Sequence, residues 1–147
     1  MRGSIINTFK KNSNILCKEK SNCYWVTGLS ATGKTTLSKM LVESLRSTGK
    51  TVIYLDGDEL REVLSDNAYT REERIALGMR YSRLCKLLTS QGVDVVIAVI
   101  GLFKELHEWN RKNILNYIEV FIETPLSELK KRDPKALYKN YDLGKIK

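Results

Sequence analysis

Gly28-Leu29-Ser30-Ala31-Thr32-Gly33-Lys34-Thr35 sets two glycines, a lysine and a hydroxyl in the order G-x-x-x-x-G-K-[ST]. Two glycines let a backbone curl tightly enough to aim several N–H groups at one anion. Lys34 then reaches the outer phosphates of a nucleoside triphosphate, and the Thr35 hydroxyl can ligate Mg²⁺. A helix opening at Gly33 adds the positive end of its dipole to the same phosphates. The spacing predicts a phosphate-binding P-loop that holds ATP on Gly28, Leu29, Ser30, Ala31, Thr32, Gly33, Lys34, Thr35 and Thr36. Lys34 is the expected catalytic cation and Thr35 the expected Mg²⁺ ligand. A second group follows at Asp56-Gly57-Asp58, with Arg61 three residues on. A kinase for a small molecule needs a carboxylate to orient the acceptor hydroxyl or hold the metal, and cations to grip an anionic acceptor. Asp56, Asp58 and Arg61 offer both, while Asp58 is also a natural helix N-cap.

These groups need a scaffold, and the apolar pattern supplies one. Cys23 to Thr27 reads as a strand running into the loop. Thr35 to Ser47 reads as a helix with Leu37, Met40, Leu41 and Leu45 at helical spacing. Thr51 to Leu55 suits a parallel strand buried on both faces, which puts Asp56 at the sheet edge where α/β proteins bind ligands. Glu59 to Leu64 is a short helix and Ser65 to Tyr69 a loop. Thr70 to Ser90 is a long helix with Ile75, Met79, Leu84, Leu87 and Leu88 on its apolar side. Val93 to Ile100 is the most strand-like run. Leu102 to Asn113 is an amphipathic helix, Tyr117 to Ile122 a strand, Pro125 to Lys131 a short helix, and the remainder polar and basic. Alternating strands and helices predict an α/β, three-layer P-loop kinase fold, a parallel sheet with helices on both faces. Residues 1–21 read as an N-terminal arm and residues 22–147 as the kinase domain.

Composition narrows the class. The 147 residues carry 25 Lys and Arg against 17 Asp and Glu, a formal charge of +8. That charge suits a nucleic-acid surface, a site for two polyanionic nucleotides, or plain solvation. No DNA or RNA recognition motif accompanies it, so a small nucleotide acceptor is the expected partner, without nucleic acid; a homodimer is compatible. No run approaches the length of a membrane span, and the first twenty residues lack a secretory apolar core. Cys17, Cys23 and Cys85 have no C-x-x-C spacing, which fits a reduced, cytoplasmic protein. His107 reads as a surface residue. Cys85 and Trp25 read as core, and Trp109 and Tyr81 as either helix packing or pocket wall. Lys130-Lys131-Arg132 reads as a helix end.

Trp25 to Thr36, the run Tyr54-Leu-Asp-Gly-Asp-Glu-Leu-Arg61, Tyr117 to Pro125 and Arg132-Asp-Pro-Lys-Ala-Leu-Tyr138 resemble the adenylylsulfate (APS) kinases. The resemblance runs from Cys23 to Lys147. It implies transfer of the γ-phosphoryl of ATP, with Mg²⁺, to the 3′-hydroxyl of adenylyl sulfate in sulfate assimilation. It further implies that Asp56 and Asp58 lie at the acceptor hydroxyl and metal, and that Arg61, Tyr69 and Arg74 bind the acceptor. Ile100, Gly101 and Lys104 would complete the acceptor wall. Arg132 would serve ATP, and Lys135 would lie in a lid over both substrates.

Departures from that pattern concentrate on the acceptor side. Leu77 stands where the family usually has Asn, so Leu77→Asn is expected to change acceptor preference and leave ATP affinity alone. Val99-Ile100-Gly101-Leu102-Phe103-Lys104 replaces a usual F-I-S-P and arginine-rich stretch. Gly101 thereby lacks a hydroxyl, and Lys104 lacks arginine's bidentate fork. Glu105 to Arg111 is more acidic than a sulfate-binding wall should be. A related kinase for another nucleotide-activated acceptor, such as cytidine diphosphoramidate in capsule biosynthesis, is the alternative. The family's usual segment after residue 147 is expected to be missing, which brings in a nucleotide-binding protein with lost catalysis as a further alternative.

Overall fold

A computed structural model of the chain describes residues 20–145. All but the last two residues of the expected N-terminal arm therefore lie outside the described residues. Four strands, β1 (Cys23–Thr27), β2 (Val52–Asp56), β3 (Asp94–Val99) and β4 (Tyr117–Phe121), form one sheet in the order β2-β3-β1-β4. Every pairing is parallel, with Trp25 level with Ile97 and Leu55 level with the same Ile97. The helices are α1 (Lys34–Ser47), α2 (Gly57–Val63), α3 (Arg71–Ser90), α4 (Lys104–Asn113), α5 (Leu126–Arg132) and α6 (Leu137–Asp142).

Successive side chains of a strand point to opposite faces, and the two cores follow that rule. Cys23, Trp25, Val95, Ile97 and Val99 face Leu77, Tyr81 and Cys85 of α3, together with Ile114. Val26, Val52 and Val96 face Val42 of α1, flanked by Leu41 and Leu45. β3 is buried along its whole length, as expected of a strand covered on both faces. The three-layer α/β fold is therefore the one the sequence predicts. Among the described residues, no helix is long and apolar enough to cross a membrane.

Several details differ from the sequence reading. The buried face of α1 contains Ser38 and Val42, with Leu41 and Leu45 partly covered, while Leu37 and Met40 are exposed. The buried face of α3 is Leu77, Gly78, Tyr81, Ser82 and Cys85, and Leu87 is exposed. Small side chains on that face let α4 approach: a Cβ on Gly78 would run into the Leu106 side chain. Helix α6 forms where the sequence pattern shows only polar, basic chain. His107 is mostly covered, since it meets the Glu119 carboxylate at 3.2 Å and the Tyr117 hydroxyl at 3.4 Å. Trp25 and Cys85 are core, as expected, and Tyr81 belongs to the packing as well.

Candidate active site

The P-loop leaves β1 at Thr27, whose hydroxyl donates to the Ile100 carbonyl at 2.7 Å and ties the ends of β1 and β3 together. Gly28 then stands where a side chain has no room. A Cβ there would lie 2.8 Å from the Ile122 carbonyl oxygen and 3.0 Å from the Thr32 hydroxyl. Ala31 at φ 66° and Gly33 at φ 92° bend the loop back on itself. Gly33 is the N-cap of α1 and offers no side-chain cap. The first-turn N–H groups are therefore left for an anion, which is the fit a triphosphate requires.

Lys34 lies across the mouth of this loop, its Nζ donating to the Leu29 carbonyl at 2.5 Å. Thr32 donates to the same carbonyl at 3.0 Å. Burial lowers the Lys34 pKa, against the opposing pull of Asp58 and Asp56. The two carboxylates favour the charged ammonium, and that cation at the P-loop is the group available to phosphate oxygens.

Asp56 closes β2 and is the N-cap of α2, its Oδ1 accepting from the Asp58 N–H at 2.9 Å. The capping role thus falls on Asp56 and not on Asp58, the alternative the sequence offers. The other oxygen, Oδ2, accepts from the Tyr54 hydroxyl at 2.9 Å and from the Thr35 hydroxyl at 3.0 Å. Burial alone would raise the Asp56 carboxyl. The hydrogen bonds from Asp58, Tyr54, Thr35 and Glu59 outweigh it and hold the group below its ordinary value. Tyr54 itself is pushed far up by burial and by its bond to that carboxylate. A hydroxyl and a carboxylate side by side are hard oxygen donors suited to Mg²⁺, which keeps several waters and takes its remaining ligands from phosphates. Among the described residues no cluster of three or more His, Cys, Asp or Glu that could hold a metal ion is present.

The segment after α5 reaches both halves. Lys135 donates to Asp58 Oδ2 at 2.5 Å, and the Tyr138 hydroxyl on α6 donates to the Ser30 carbonyl at 2.9 Å. The sequence pattern assigns no role to Tyr54 or Tyr138. Tyr54 had a signal, since it lies two residues before Asp56 and so on the same strand face.

Other expected site residues are less drawn in. Tyr69 is 78% exposed, although its N–H is held by Glu73, the partner of Thr70 in the capping box of α3. Arg61 and Arg74 are exposed on α2 and the first turn of α3. Lys104 pairs with Glu108 at 3.4 Å, and Arg132 with Glu128 at 3.3 Å, each on its own helix. Ile100 is exposed. Gly101 packs on the core, because a Cβ there would lie 3.3 Å from the Trp25 ring and from Val99. Beside them Arg71 reaches from α3 to Glu105 at 2.7 Å and covers the Phe103 ring at 5.6 Å. Leu77 is only 4% exposed and packs in the core beside Tyr81.

Comparison with known proteins agrees with this geometry. Residues 20–147 match the family model for adenylylsulphate kinase. A cytidine diphosphoramidate kinase of Campylobacter jejuni is 45% identical over 121 residues, 81% of this chain and 71% of its own. An adenylyl-sulfate kinase of Pseudomonas aeruginosa is 38% identical over 134 residues, 89% of this chain and 68% of its own. The structure of a Mycobacterium tuberculosis APS kinase in complex with AMPPNP and APS superimposes with a TM-score of 0.79 at 31% identity, over 87% of this chain and 77% of that one. With its P-loop on β1 and its acidic cap on β2, the chain belongs to the adenylylsulfate kinase family.

Proposed function

We propose that the protein is an ATP-dependent kinase for a ribose hydroxyl of a nucleotide-activated small molecule. The observation that carries this reading is the Thr35–Asp56–Tyr54 cluster at 3.0 and 2.9 Å, beside a P-loop lysine. It joins the donor half to the acceptor half through one fixed carboxylate. Mg²⁺, bound by Thr35 with Asp56 beside it, would supply charge neutralisation at the transferring phosphoryl group. Lys34 exchanges the Leu29 carbonyl for a phosphate oxygen and neutralises charge that builds on the outer phosphates. The acceptor oxygen forms a bond to the γ-phosphorus as the bond to the β-phosphate oxygen breaks, and ADP leaves. Asp56 and Asp58 orient the hydroxyl and receive its proton late, since such transfers depend on positioning more than on a strong base. Arg61 and Arg74 hold the acceptor's anionic tail, Tyr69 its base, and Lys135 closes over Asp58. Arg132 attends the ATP side, and Ile100, Gly101 and Lys104 border the acceptor.

Two acceptors fit the reading. Cytidine diphosphoramidate is favoured by the 45% identity to the Campylobacter protein and by Glu105 and Glu108, which neutralise Arg71 and Lys104 at the rim. Adenylyl sulfate is supported by the family model and by the 38% identity of the Pseudomonas enzyme. ADP release from Mg·ATP, measured with each acceptor in turn, separates them. Lys34→Ala should abolish the release; normal ADP production by that variant would remove the P-loop assignment. ATP binding without acceptor-dependent ADP release would instead indicate a nucleotide-binding protein that has lost catalysis.

A further inference from the structure

Tyr81 carries a feature that packing does not explain. Its side chain lies in the core with Leu77, Trp25 and Cys85 and is 5% exposed. Its hydroxyl is buried and has no hydrogen-bond partner among the described residues. An orphaned buried hydroxyl is costly, and phenylalanine would fill the same space without that cost. The oxygen therefore lacks a partner among the described residues, and a bound ligand can supply one.

Placement says where such a partner comes from. Arg74, Leu77 and Tyr81 recur at helical spacing on one stripe of α3. Helical side chains lean toward the N-terminus, which for α3 is the end at Thr70, beside Tyr69 and Arg74. A side chain leaning that way would carry the Tyr81 hydroxyl toward the sheet edge that holds Asp56 and the P-loop. Burial raises its pKa, and the charges it senses are those of Arg61, Asp66, Asp58 and Arg80. Two of those four, Arg61 and Asp58, belong to the proposed acceptor site. A phenol kept protonated there is a donor. Leu77, one turn earlier, has no polar atom to offer, so Tyr81 is the polar group that this stripe presents beneath Arg74.

We propose that the Tyr81 hydroxyl donates a hydrogen bond to the acceptor nucleotide and is a specificity-determining contact of that site. The proposal rests on the kinase reading above. It differs from a structural role in a way that one atom tests, since Tyr81→Phe removes the oxygen and keeps the ring.

The full chain and its Tyr81→Phe variant are compared for melting temperature, KM for ATP, and kcat/KM for adenylyl sulfate and for cytidine diphosphoramidate. Calorimetric Kd values are measured for both acceptors. The expected result is a fall of about tenfold in kcat/KM for the preferred acceptor, with its Kd weakened alike. KM for ATP should stay within about twofold, and the melting temperature should hold or rise, as follows from removing an orphaned hydroxyl. Acceptor kcat/KM and Kd both within about twofold of wild type would overturn the proposal. A lowered melting temperature with unchanged acceptor kinetics would overturn it too, by assigning the hydroxyl to a buried water. Wild-type protein that releases ADP with neither acceptor refutes the kinase reading alone, and the Kd comparison then decides on Tyr81. Wild-type protein that binds neither acceptor refutes both.

Discussion

Leu77→Asn keeps the side chain close to its original size and replaces two methyl groups by an amide. In this structure the site is 4% exposed and lies among Trp25, Tyr81, Cys85, Val95 and Ile97. Burying a leucine there stabilises the fold by about 1.5–3 kcal/mol relative to exposure, and most of that is forfeited. An amide left without a partner in such surroundings adds about 1–3 kcal/mol. The expected destabilisation is thus about 3–5 kcal/mol, a large part of the roughly 5–15 kcal/mol that holds a domain folded. At about 3–4 °C per kcal/mol for a chain of this size, the melting temperature should fall by about 10–20 °C. Urea denaturation followed by circular dichroism gives the same quantity from the midpoint. A variant that melts within about 2 °C of wild type while changing its acceptor preference would refute the reasoning. It would show that position 77 faces the acceptor, as the sequence pattern alone implies.

Gly78→Ala should cost about 1–3 kcal/mol, because its Cβ meets the fully buried Leu106, whose Cδ2 is 3.3 Å away; thermal denaturation checks it. Lys135→Ala removes a solvent-exposed ion pair with Asp58 and should change stability by no more than about 1 kcal/mol. Acceptor KM should nevertheless rise severalfold with ATP KM unchanged, and equal kinetics would place Lys135 outside the site. Asp56 has a folded-state pKa below its ordinary value. Its stabilising contribution is therefore full above the unfolded value of about 3.9 and is lost as pH falls through the depressed one. The stability gap between wild type and Asp56→Asn, from urea midpoints at stepped pH, should shrink below about pH 4.

The parts of the site legible in the sequence are those that restrict residue type through the backbone. Gly28 is required by the Ile122 carbonyl and Gly33 by its positive φ, so the loop can be read from spacing alone. Asp56 could be placed because a parallel strand's end is a defined location. The faces of α1 and α3 were misread for an opposite reason. Leu37, Met40 and Leu87 are apolar but exposed, while Ser38, Gly78 and Ser82 are small and buried where helices approach. Hydrophobicity ranks such residues wrongly, because close packing there selects for size. Lys135 and Asp58 are 77 residues apart, and Tyr138 and Ser30 are 108 apart. Contacts of that separation depend on the whole fold and leave no local pattern. Helix α6 begins after Ala136 in the left-handed region and has no capping side chain, so the usual start signal was missing.

The strand order has a consequence for how this enzyme type diversifies. β3 lies between the strand that carries the P-loop and the strand that ends in Asp56, which sets the two about 10 Å apart at their roots. The phosphate-binding part of the donor side occupies residues 27–36, with Arg132 proposed to join it from α5. Most proposed acceptor contacts, from Asp56 through Arg74, Tyr81 and Gly101 to Lys104, come from one later, uninterrupted stretch. Evolution or an engineer can therefore change what is phosphorylated by grafting the acceptor contacts of that stretch, with β3, buried and paired on both sides, kept as their frame. Thr35, reaching Asp56 at 3.0 Å, is the joint at which any such graft must still fit.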